Sequence, residues 1–206
     1  MGKLKAPAII LSLLVAISCF PLTAACEKPL DSEAACPFSV QLMAGYLGSP
    51  VLHPDRADMD YGKVDLRLCW FSGPNKTARW LGLEGPFEFI LGLTYASIVD
   101  GPGNYFAGMN VLIRYYFFAE KRRFMPYFQL GAGIIYNDVY KDKSQDVIGQ
   151  SVEFTPQGSL GMHYFLNRRW ALDAEIIYHH ISNAGLDDRN EGVNALGGLV
   201  GVTYRF

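Results

Sequence analysis

The stretch Lys63-Val64-Asp65-Leu66-Arg67-Leu68-Cys69-Trp70 alternates without a break. In an extended chain Val64, Leu66, Leu68 and Trp70 fall on one face, and Lys63, Asp65 and Arg67 on the other. A strand with one wholly apolar face and one face of full charges of both signs has two uses. In a soluble barrel the apolar face turns inward. In a transmembrane barrel it turns outward to lipid, and the charges pair inside.

Seven more segments repeat the pattern, so the sequence predicts strands over about 38–47, 61–71, 86–98, 105–118, 125–136, 151–166, 169–182 and 194–206. In the sixth, Val152, Phe154, Leu160, Met162 and Tyr164 oppose Glu153, Thr155, Gln157, Ser159 and His163; Pro156 interrupts it and predicts a bulge. In the seventh, Leu172, Ala174, Ile176 and Tyr178 oppose Asp173 and Glu175. The eighth places Val200, Val202, Tyr204 and Phe206 opposite Thr203 and Arg205. Aromatic residues gather near strand ends, as an interfacial girdle requires. Glu153, Asp173, Glu175, Arg114 and Arg205 are expected to form a lumenal ion network, with His163 and His179 beside it. The C-terminal Phe206 with its alternating run resembles the signal read by the outer-membrane assembly machinery, a predicted partner. The fold class is thus an all-β, eight-stranded antiparallel transmembrane β-barrel of the bacterial outer membrane. A soluble, lipid-binding barrel is the rival architecture.

Composition agrees. Of 206 residues, half are hydrophobic and 14% aromatic, and 21 are Gly. A net charge of -2 gives no basic footprint for nucleic acid. Residues 1–25 read as a signal peptide: Lys3 and Lys5, an apolar stretch from Ala8 to Phe20, then Thr23-Ala24-Ala25 for cleavage. Residues 26–37 form an N-terminal segment and 38–206 the barrel. Cys26 is open to two fates, lipidation or a disulfide with Cys36. After the signal no run of 18 apolar residues remains, so no helix of the mature chain is expected to span a membrane.

Chemistry concentrates at His180-Ile181-Ser182-Asn183-Ala184-Gly185. His180 and Ser182 continue the outward row of Leu172, Ala174, Ile176 and Tyr178. Polar groups there cost desolvation unless they pair. Counting back from Phe206, Asn194 is also outward, and the hairpin brings it beside them. A nucleophile, a base and an orienting hydrogen-bond partner then converge on the outer wall. With both termini periplasmic, this spot lies at the external rim, beside lipopolysaccharide. Asn194 to Phe206 supplies ~40 Å of extended chain, enough to cross a ~25 Å apolar band. The plainer reading is a polar rim where the strand leaves the bilayer. The adjacent His179 and His180 diverge in a strand, so no metal site and no cofactor are expected; Gly101-Pro102-Gly103 is a turn.

The run from His180 to Leu186, followed by Asn190 and Gly192, resembles the signature of the PagL family of lipid A 3-O-deacylases (acyloxyacyl hydrolases). Phe154-Thr155-Pro156-Gln157, Leu160-Gly161 and His163-Tyr164-Phe165-Leu166 are similar to that family's sixth strand. The resemblance implies a metal-free serine esterase acting on lipid A, with Ser182 as nucleophile and His180 as base. Asn183, Ala184, Gly185 and Asn190 are the implied oxyanion-hole candidates. It also exposes a departure: the family carries Glu where this chain has Asn194. Asn194 can orient an imidazole but cannot neutralise its cation. Glu191, nearby in the loop, is the alternative acid. The alternative function is a non-catalytic surface barrel with a vestigial site.

Overall fold

The computed structural model describes residues 38–49, 59–74, 85–117 and 123–206. The signal peptide expected over 1–25, and Cys26 and Cys36 with the two fates expected for them, lie outside the described residues.

Period-two alternation produces an antiparallel meander: β1 (Phe38–Gly48), β2 (Asp60–Pro74), β3 (Pro86–Asp100), β4 (Tyr105–Tyr116), β5 (Phe124–Asn137), β6 (Val152–Phe154), β7 (Gln157–Phe165), β8 (Trp170–Ile181) and β9 (Val193–Arg205). Each strand pairs with its predecessor, except that β7 follows β6 in pairing with β5, and β1 pairs with β9, closing the sheet. The closed cylinder has eight staves, because β6 and β7 are two lengths of one stave alongside β5.

Pro156 divides that stave, but the predicted bulge is not there. Ile134 opposite Phe154 and Gly131 opposite Gln157 are in step. Across the gap Thr155 exchanges backbone bonds of 2.9 and 3.1 Å with Gly133. Proline ends the ladder by withholding a donor, without inserting a residue. Its carbonyl still accepts the His180 N–H, at 3.0 Å.

Side-chain parity settles which face is which. On β8, Asp173, Glu175, Ile177, His179 and Ile181 are at most 5% exposed, while Ile176 is 65% and Tyr178 47% exposed. Leu160 and Val200 on the flanking staves are also exposed. The hydrocarbon coat is therefore outside and the charges inside, the inverse of a soluble barrel. Aromatic rings collect at both ends of the wall. Trp70, Phe38, Phe206, Tyr204 and Trp170 form one chain of ring contacts, with centroids 4.9–5.4 Å apart. Tyr95 and Tyr105, and Tyr136 and Tyr140, pair at the other end. Such belts suit the two bilayer interfaces.

The lumen is filled in layers. In the middle, Arg67 grips Glu175 through both carboxylate oxygens (2.6 and 3.1 Å) and reaches Asp65, which also holds Lys63. Arg114 bonds Glu88 at 2.6 Å, and Asp173 takes bonds from Gln41, Thr203 and His163. The network differs from the expected one in membership. Asp173, Glu175 and Arg114 belong to it, joined by Asp65, Arg67, Lys63 and Glu88. Glu153 is buried apart, and among the described residues it accepts a hydrogen bond from the Gln150 N–H alone. Arg205 sits at the lumen mouth over the Phe165 ring. Beyond the ions, at the end remote from Phe38 and Phe206, lies an apolar plug that includes Leu47, Tyr61, Phe106, Ile135 and Ile181. The β5–β6 connection folds Val139, Val147 and Ile148 into it.

Candidate active site

The β8–β9 hairpin sits at the plugged end. Its register puts His180 directly opposite Asn194, with Tyr178 opposite Leu196 one step down the wall. His180 and Asn194 are half-buried, and both lie on the outward row with Tyr178. One atom gathers the group: Asn194 Oδ1 lies 2.7 Å from His180 Nδ1 and 2.6 Å from the Tyr178 hydroxyl. An amide oxygen only accepts, so Nδ1 is the donor, and in the neutral ring the lone pair is then on Nε2. That is the tautomer a general base requires.

Ser182 continues the row past the end of β8. Its backbone N–H and C=O bond to Phe154 at 3.1 and 2.8 Å, so β6 extends the sheet beneath it. The Ser182 side is thus fixed by a bridge, not left to the loop. Among the described residues no hydrogen bond joins the Ser182 hydroxyl to the His180 ring. Catalytic contacts of this kind are often open before substrate binds. Gly192 (φ 71°) runs between the two: a Cβ there would stand 3.3 Å from His180 Cε1 and 3.7 Å from Ser182 Cβ. Any larger residue would fill the gap between His180 and Ser182.

The loop residues separate into two kinds. Asn183 is fully buried. Its Oδ1 accepts the N–H groups of Gly185 and Leu186 (2.9 and 3.1 Å), its Nδ2 bonds the Arg189 carbonyl, and its own N–H goes to Asn190 Oδ1. The Asn183 carboxamide and the Gly185 N–H are therefore occupied by the turn, which departs from their expected part in an oxyanion hole. The Ala184 N–H makes no hydrogen bond among the described residues, and Ala184 is exposed at φ 58°. Ala184 N–H and Asn190 Nδ2 are the uncommitted donors. Glu191 is exposed, and its N–H is tied to the Asp146 carbonyl. Asn194, not Glu191, is seated at the imidazole.

Two features were invisible to spacing arguments. One is the Tyr178 hydroxyl: spacing puts Tyr178 on the lipid-facing row but does not reveal its bond to Asn194. The second is a brace from 138–151. Arg189 donates to the carbonyls of Asp142, Gln145 and Gly149 (3.0–3.3 Å). The Gly192 N–H bonds the Val147 carbonyl at 3.0 Å. Nothing in the sequence pairs those two loops. Among the described residues no cluster of His, Cys, Asp or Glu is arranged to hold a metal ion.

The profile of the lipid A 3-O-deacylase (PagL) family matches residues 60–203. The chain belongs to that family. Among solved structures, this PagL-family chain is similar to the outer membrane enzyme PagL, at TM-score 0.55 and 15% identity over 80% of this chain and 99% of that one. It is similar to Neisserial surface protein A at TM-score 0.53 and 16% identity, over 84% of this chain and 100% of that one. At such identities the likeness is one of fold, an eight-stranded barrel of the bacterial outer membrane. A search of curated protein sequences finds no match.

Proposed function

We propose that this chain is an outer-membrane serine esterase that removes an ester-linked acyl chain from lipid A. The observation that carries the reading is the His180–Asn194 pair beside Ser182 on the lipid-facing wall, at the end away from the chain's last residue. Taken with the family, that end is the external rim, where lipopolysaccharide would present its acyl esters. The signal peptide over 1–25 and recognition of Phe206 by the assembly machinery would deliver the barrel there.

Chemically, the Ser182 Oγ attacks the ester carbonyl while His180 Nε2 accepts its proton. The Ala184 N–H and Asn190 Nδ2 stabilise the tetrahedral oxyanion. The leaving sugar alkoxide takes the proton back from His180, and water then releases the acyl group from Ser182 by the same steps. Asn194 keeps the ring oriented, and leaves the transient imidazolium without a counter-charge. No metal or other cofactor enters this scheme.

One observation favours the second reading, a barrel without turnover: the acid of the family is an amide here. The deciding experiment mixes purified protein with lipid A in detergent and follows the released 3-hydroxy acyl chain by mass spectrometry. Release that depends on Ser182 supports the esterase; equal release by wild type and Ser182→Ala rejects it.

A further inference from the structure

We propose that Tyr178 is a positioning residue of this site: its hydroxyl holds the Asn194 carboxamide with oxygen toward His180 and thereby selects the imidazole tautomer. The kinetic consequence rests on the esterase reading; the tautomer itself does not.

A carboxylate at position 194 would need no such help, because both of its oxygens accept. A carboxamide has two unlike ends. Turned by half a rotation, Asn194 would present its NH2 to Nδ1, which would then have to accept. The ring proton would move to Nε2, and no lone pair would remain to receive the Ser182 proton. Only a donor aimed at Oδ1 distinguishes the two orientations. Among the described residues the Asn194 side chain has two partners, and both meet the same oxygen: His180 at 2.7 Å and Tyr178 at 2.6 Å.

The imidazole can act as donor or acceptor at Nδ1 and so follows the amide rather than choosing for it. A phenol is a good donor and a poor acceptor, so Tyr178 does choose. The surroundings add no competitor. Pro156, opposite His180 on the neighbouring stave, has no N–H to offer, and Leu196 and Ile176 complete an apolar border. A misdirected NH2 would leave the Tyr178 hydroxyl facing a donor instead of its acceptor.

The test uses the full chain in detergent micelles, labelled with 15N-histidine. Ring nitrogen shifts report the tautomer of His180, assigned by the signals lost in His180→Gln. Wild type is expected mainly as the Nδ1–H form. Tyr178→Phe should shift the ratio toward Nε2–H by about five- to tenfold, the effect of one net hydrogen bond. On lipid A it should lower kcat in proportion to the fall in the Nδ1–H fraction, with KM held. In an Asn194→Glu background the same Tyr change should move the ratio less than about twofold, because a carboxylate has no wrong end. Heat-modifiable gel migration confirms that each variant is a closed barrel. A Tyr178→Phe ratio within about twofold of wild type overturns the proposal, as does an equal shift in both backgrounds. If wild type releases no acyl chain yet the tautomer shift is found, the esterase reading fails and Tyr178's role stands.

Discussion

Replacing Asn194 by Glu is the sharpest probe of this site. His180 Nδ1 lies 2.7 Å from Asn194 Oδ1; a Glu oxygen reaching the ring at a similar hydrogen-bond distance would set the charge centres of imidazolium and carboxylate ~4 Å apart. At the effective dielectric of a protein surface that separation is worth ~4 kcal/mol before screening. Both groups are half-exposed at the bilayer edge, which reduces the gain to the ~1.5–3 kcal/mol typical of a hydrogen bond to a charged group. The charge forms only as the reaction proceeds, so the gain belongs to the transition state and appears in kcat. Asn194→Glu should therefore raise kcat by roughly 10- to 150-fold, with KM little changed. The assay is initial-rate release of 3-hydroxy acyl chains from lipid A by mass spectrometry, with Ser182→Ala as the blank in both backgrounds. A rise of less than about threefold would show that the missing counter-charge does not limit the rate. A rise from an undetectable baseline would favour the vestigial reading of the natural chain.

Other outcomes follow from the scaffold. Glu175→Ala leaves the buried Arg67 and Arg114 with a carboxylate gone from between them, and should cost ~3–5 kcal/mol of folding stability; urea titration in lipid vesicles measures it, and a loss under 1 kcal/mol would refute the network's weight. Gly192→Ala puts a Cβ 3.0 Å from the Ile181 carbonyl and 3.3 Å from the imidazole, at a φ of 71°. It should depress acyl release at least tenfold while the barrel still migrates as folded, and unchanged turnover would show that the gap beside Ser182 is not needed. Burial alone would raise the Asp138 carboxyl, but bonds from the Asn104 side chain and the Asn104 and Tyr105 N–H groups outweigh it and hold the pKa below its ordinary value. A depressed carboxylate stabilises the fold above its unfolded pKa, and that contribution disappears as pH falls through the lower folded value. The Asn104 and Tyr105 amide resonances should thus shift only below the usual carboxylate range, and a midpoint inside that range would contradict the assignment.

The wall of this barrel was legible because its rule is local. Parity along 63–70 or 169–182 assigns each side chain to lipid or lumen with no knowledge of neighbours, and burial on β8 follows it residue by residue. His180 and Asn194 could be brought together the same way, since hairpin register follows from counting on two strands. What sequence did not reveal depends on partners far apart along the chain. Glu153 sits on the lumen row like Glu175, but only Glu175 has Arg67 across the barrel, 108 positions away in sequence. Asn183 looked like a free carboxamide; only the closed loop shows it spent on its own turn. Pro156 suggested a bulge because proline often marks one, whereas here the ladder keeps its count and omits a donor.

The packed interior has a consequence for how the molecule meets its substrate. With ion pairs across the middle and an apolar plug beyond them, the described residues make the cylinder a filled post, and on the esterase reading its working surface is its side. A lipid would arrive at such a side by sliding within its own leaflet, so encounters are governed by two-dimensional mobility and local membrane composition. Stiffening or thinning that leaflet would change turnover even if every atom of the post stayed where it is.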